Sequence, residues 1–274
     1  MGIKKRSRLW IGLIFVPCLL LFLVLQSLSW AAERKTEIVV IGTVHKETQN
    51  FRIQNLIGIL KRVKPDVILF ELPAEMMTPS YEFKTMLKDS LAQDAVLQYL
   101  RESGAKIRPF DIDGRNGFYE RTNYFAQESR CNQEVQTAFN TKKMNSEAAR
   151  ILSLAMTAYE KNIRIGQSDA AAINSFSSDM ITNERHWLIH QGYAEIVRLT
   201  PELKRCEGFF DLDRAYWIRR NNQMIANIKK YSTEFQGQRL VVICGFEHRY
   251  YLRSHLYDWR DDPPNYTLKE YWQY

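Results

Sequence analysis

Two histidines follow two alike stretches of chain, and imidazoles in that setting can ligate metal or move protons. Ile38-Val39-Val40-Ile41-Gly42-Thr43-Val44-His45 is a β-branched run, then a glycine, then a histidine three positions on. Leu240-Val241-Val242-Ile243-Cys244-Gly245-Phe246-Glu247-His248 repeats the pattern near the far end. Between them lies Val67-Ile68-Leu69-Phe70, a third apolar run that ends at Glu71. In an open α/β sheet, ligands bind beyond the carboxyl ends of the strands. If these strands are parallel neighbours, His45, Glu71 and His248 meet on one rim. Imidazole with carboxylate suits a divalent transition ion of the manganese, cobalt or zinc type, with a position left for an activated water. The same groups also work without metal, one as general base and another as general acid. Gly42 and Gly245 are expected to let the backbone turn sharply, so that each histidine points back at the strand ends.

Other polar residues carry weaker signals. Asp111 and Asp113 close a third candidate strand, either as site carboxylates or as caps of the turn before Gly114. His186 and His190 are four apart on an expected helix and share a face, but Trp187 stands where a zinc helix would place its catalytic Glu. A half-buried amphipathic helix is the preferred reading there. Arg220 precedes the His248 strand on a long helix and can clamp a carboxylate or a developing oxyanion; Arg219 is expected to be solvated. His255 is given no role. Tyr119, Tyr124, Phe125, Phe209 and Phe210 read as core aromatics rather than a binding cage.

The elements that must position these groups follow from periodicity. Strands are expected over Glu37–Ile41, Val67–Phe70, Ile107–Ile112 and Arg239–Cys244. Helices are expected over 51–63, 83–102, a pair or single helix over 180–199, and 211–235, with a closing helix over 248–257. The strand–helix–strand order at the start is a βαβ unit. The fold class is therefore α/β: a mainly parallel central sheet flanked by helices, spanning 36–257, with a helical insertion over 118–204 between two halves. The tail, 258–274, is either loose or packed back.

The first 31 residues read as a targeting segment. Lys4, Lys5, Arg6 and Arg8 precede an uncharged run of 22 residues from Leu9 to Trp30. Basic residues before such a run keep the N-terminus cytoplasmic and send the rest across the membrane. Ser29-Trp30-Ala31 offers a cleavage site, while the length suits an uncleaved anchor, which is slightly preferred. Cys18, after Val16-Pro17, does not make a lipoprotein signal. Without the four leading bases, 34 Lys and Arg face 31 Asp and Glu, so the formal charge falls from +7 to +3. That excess gives no reason to expect nucleic acid as a partner. Cys131 and Cys206 can pair in an oxidising compartment, or stay free; Cys244 reads as a buried core residue.

Four segments together resemble a family: Gly42-Thr43-Val44-His45, Phe70-Glu71-Leu72, Arg220-Asn221-x-x-Met224 and Val242-Ile243-Cys244-Gly245-Phe246-Glu247-His248. They look like the TraB/PrgY/GumN–Tiki group, which is related in fold to erythromycin esterases and ChaN-like haem-binding lipoproteins. The resemblance covers about 38–72 and 220–256. It implies an α/β core whose two histidines and glutamate share a site, with His45, Glu71 and His248 as metal or catalytic residues and Arg220 nearby. Phe246-Glu247 stands where small residues are usual, and Arg219 where an acid is common. The function expected is an exported or membrane-anchored, divalent-metal-dependent hydrolase that cleaves a peptide or ester bond in a peptide or small-molecule substrate. Glu71 or Glu247 would act as base toward a metal-bound water. The alternative is a non-catalytic protein of the same fold that binds haem or another ligand, or regulates.

Overall fold

The computed structural model describes residues 35–257 and 265–274. The expectations for the segment Leu9–Trp30 lie outside the described residues. Among the described residues no helix is long and apolar enough to cross a membrane.

Five strands form one all-parallel sheet: β1 (Thr36–Thr43), β2 (Val67–Phe70), β3 (Lys106–Pro109), β4 (Arg239–Gly245) and β5 (Tyr266–Lys269), in the order β3-β2-β4-β1-β5. The runs of Val, Ile and Leu are continuous because both faces are covered. Val39, Ile41, Ile68, Phe70, Val241 and Ile243 share one buried cluster, under α1 (Ile53–Val63) and α2 (Leu91–Glu102). Their alternates Ile38, Val40, Val67, Leu69, Leu240 and Val242 share the other. That second face is covered by α9 (Glu207–Glu234), through Met224, Ile225 and Ile228, and by α10 (Phe246–Leu256), through Leu252 and Leu256. On α1, Leu56, Ile57, Ile59, Leu60 and Val63 are buried. Each contributes about 1.5–3 kcal/mol relative to an exposed position.

Between β3 and α9 the chain is helical, as expected: α3 (Arg115–Arg121), α4 (Tyr124–Asn140), α5 (Ser146–Gly166), α6 (Ala170–Ile173), α7 (Phe176–Trp187) and α8 (Tyr193–Leu199). This insertion has its own apolar cluster, including Val135, Leu152, Ile196 and Leu203. A disulfide joins Cys131 to Cys206 within it, with Cα atoms 5.6 Å apart. Cys244 is a free, buried thiol.

One helix start is corrected. The helix over 83–102 starts only at Leu91, because Ser90 caps it by accepting a hydrogen bond from the Gln93 backbone. The residues before it are held as a loop by Gln93, whose amide accepts from Leu87 N and donates to the Thr85 carbonyl, leaving Met86 exposed. Of the two outcomes open for the tail, residues 265–274 show the packed one: they supply β5 against β1 and bury Tyr266 and Tyr271.

Candidate functional site

The carboxyl ends of β2, β3 and β4 meet in a buried polar cluster. Glu71 follows β2 directly, and its backbone N–H extends the ladder by donating to the Ile243 carbonyl at 3.2 Å. Asp111 follows β3 and is tied to the same rim through its N–H to the Leu72 carbonyl. Arg220 reaches both from α9. Its Nε and Nη2 donate to the two Asp111 oxygens, each at 2.8 Å, and Nη2 also donates to Glu71 Oε1 at 2.6 Å. Arg115 donates to Asp111 Oδ2 at 2.7 Å. The second Glu71 oxygen accepts the Gly245 N–H at 2.6 Å. Two carboxylates and two guanidiniums thus balance in charge, as buried ions must. Burial opposes the Arg220 charge, but Glu71 and Asp111 outweigh it and raise its pKa above the ordinary value. Arg220 Nη1 makes no hydrogen bond to the described residues.

His248 sits in the first turn of α10 beside this cluster. Asn221 Nδ2 donates to the Trp217 carbonyl at 2.8 Å, so its Oδ1 faces His248 Nδ1, also at 2.8 Å. An oxygen partner makes Nδ1 the protonated nitrogen and leaves a lone pair on Nε2. Nε2 lies 3.6 Å from Glu71 Oε1, too far for a hydrogen bond. Burial, and then the Arg220 charge, push the His248 pKa well below the usual histidine range, so the ring is neutral. The Trp217 indole stacks on it at 4.5 Å between centroids.

The strand arrangement expected from the sequence is present, since β1 and β4 are parallel neighbours with Thr43 opposite Gly245. The side chains do not all follow. His45 lies past the end of β1, exposed and without a side-chain hydrogen bond to the described residues. Glu247 faces the insertion instead of Glu71. Its oxygens accept from Asn162, from Arg185 at 2.6 Å and from His186 Nε2 at 2.7 Å. Among the described residues, no three His, Cys, Asp or Glu side chains are placed to hold a metal ion. Both Glu71 oxygens and both Asp111 oxygens already accept from cations or backbone, so among the described residues His248 Nε2 is the one uncommitted lone pair of the cluster's ionisable groups. The expected His45–Glu71–His248 ligand set does not fit this arrangement.

The glycines act differently from expectation. Gly42 allows close approach: a Cβ there would meet Phe246 Cα at 3.0 Å, where α10 begins. Gly245 has φ −55°, open to any residue. Asp111 belongs to the cluster, whereas Asp113 fixes the Ala74 N–H in a loop. Arg219 is exposed, as is Phe125, and Arg220 is buried. Sequence reasoning missed Arg115, Trp217 and the orienting role of Asn221. Two signals were available: Asn221 lies in the Arg220-Asn221-x-x-Met224 segment of the resemblance, and Trp217, Arg220 and Asn221 share a helix face at three- and four-residue steps.

No protein-family description, curated protein or solved structure matches the chain.

Proposed function

We propose that this chain is a hydrolase of the TraB/PrgY/GumN–Tiki type, exported or anchored in the cytoplasmic membrane with its bulk on the outer side, that cleaves an ester or peptide bond. The single observation that carries this reading is the neutral, oriented His248, whose free Nε2 lies beside Glu71 and Arg220. Three of the four segments behind the family resemblance supply those residues. The Cys131–Cys206 disulfide supports an oxidising compartment.

In the proposed reaction, His248 Nε2 takes a proton from water as the water oxygen bonds to the substrate carbonyl carbon. The carbonyl electrons move to its oxygen, where Arg220 Nη1 and its charge stabilise the oxyanion. The imidazolium is stabilised by Asn221 Oδ1 and by the Glu71 carboxylate. As the carbonyl re-forms and the C–X bond breaks, the imidazolium returns its proton to the leaving group, giving acid and HX. No step runs through a metal.

The test is a panel of p-nitrophenyl esters and fluorogenic peptides with the chain from Ala32 onward. Wild type is expected to turn over at least one substrate, and His248→Ala to lose about 100-fold to 10,000-fold. A chelator is expected to leave the wild-type rate unchanged. Equal rates in wild type and His248→Ala, or loss with chelator and recovery with metal, would sink the proposed chemistry.

A further inference from the structure

Beyond the Glu71 cluster, the insertion, α9 and α10 line an open cavity of about 660 Å³. That volume is the size of a small-molecule site. Its lining includes Phe176, Met180, Trp187, Ile218 and Tyr257, all large, apolar and exposed. Apolar side chains gathered on one face mark an interaction site rather than scattered surface residues.

A second observation points to the polar group of the ligand. His186, which lines the cavity, is 6% exposed, and its Nδ1 has no hydrogen-bond partner among the described residues. Its Nε2 is 2.7 Å from Glu247 Oε2. Burial raises the Glu247 pKa, but the His186 hydrogen bond and the Arg185 charge outweigh it, so the carboxyl is held below its ordinary value and ionised. An ionised carboxylate can only accept, so Nε2 carries the proton. The Arg185 contact to Nε2, at 3.3 Å, is longer than its 2.6 Å bond to Glu247 and does not alter this. Burial keeps the ring neutral. His186 Nδ1 is therefore a lone-pair acceptor with nothing to accept. A π-helical turn, Leu188–Gly192, follows at once and carries His190 into the same lining, 5.7 Å from His186 between ring centroids. Such turns recur at functional sites. Among the described residues no third metal-ligating side chain completes the pair.

We infer that this cavity binds a flat aromatic molecule bearing one O–H or N–H donor, which His186 Nδ1 accepts. The aromatic lining takes the ring system, and the imidazole selects the donor. Trp217 stacks on His186 as well as on His248, and so joins this cavity to the Glu71 cluster.

Calorimetric titration of the chain with 2-naphthol and with 2-methoxynaphthalene tests this. Wild type should bind 2-naphthol about threefold to tenfold more tightly than the ether, which lacks the donor. Ile218→Trp, at an exposed wall position, should weaken both by about tenfold or more by filling the cavity. His186→Phe should abolish the difference between the two probes. Binding of neither probe to wild type, equal binding of both, unchanged affinities in Ile218→Trp, or a preference that survives His186→Phe would each overturn the inference.

Discussion

His248 and His186 are both buried with their rings neutral, and this has a cost that depends on pH. In the unfolded chain each would titrate near 6.5, while burial lowers the folded values. Between the two values the unfolded state binds more protons, so stability rises with pH there. It is fully present above about 6.5 and is lost as pH falls below it, by about 1.4 kcal/mol per pH unit for each ring. Urea unfolding from pH 7.5 to pH 5 should show this fall, and His248→Gln should show a shallower one. An identical pH slope in the variant would mean that His248 is solvated or already charged. The residue types Glu71, Arg220 and His248 were readable because each sits at a strand end or on the helix that feeds one. Asn221 was not, since an amide announces nothing until its carbonyl is seen against an imidazole.

Helix geometry explains which expected side chains separate. Phe246 begins α10, so Glu247 and His248 are successive helical residues, about 100° apart around the axis. They cannot face one site, and Glu247 joins the insertion instead. His45 follows β1 by two residues, ahead of any helix, and nothing turns it inward. The three inner strands, β2, β4 and β1, were visible as short Val/Ile/Leu runs, and the edge strand β3 as a candidate over Ile107–Ile112, but β5 was not, because its chain neighbours are prolines and aromatics. The disulfide was open in the sequence because pairing depends on where α4 and the turn before α9 pack. It closes a separation of 75 residues, for which loop entropy suggests about 4 kcal/mol. Replacing Cys131 and Cys206 together by Ser should lower the unfolding free energy in urea by about 2–4 kcal/mol, and a reductant should do the same to wild type. If reductant has no effect on wild type, the pairing contributes nothing.

At the scale of the molecule, buried ions join parts that are far apart in the chain. Arg249, 1% exposed, donates to Asp179 of the insertion and to Glu270 of the tail, so α10 ties both to the sheet. Arg220 does the same for β2 and β3. The proposed centre exists only if those distant segments meet as described. A double-mutant cycle on Glu71→Gln and Arg220→Met, read by urea unfolding, measures that meeting without any substrate. Residues 149 positions apart should couple by about 1 kcal/mol or more, the double variant losing clearly less than the two singles combined. Additivity within about 0.5 kcal/mol would mean that the two side chains do not touch, and the charged cluster beside His248 would not exist.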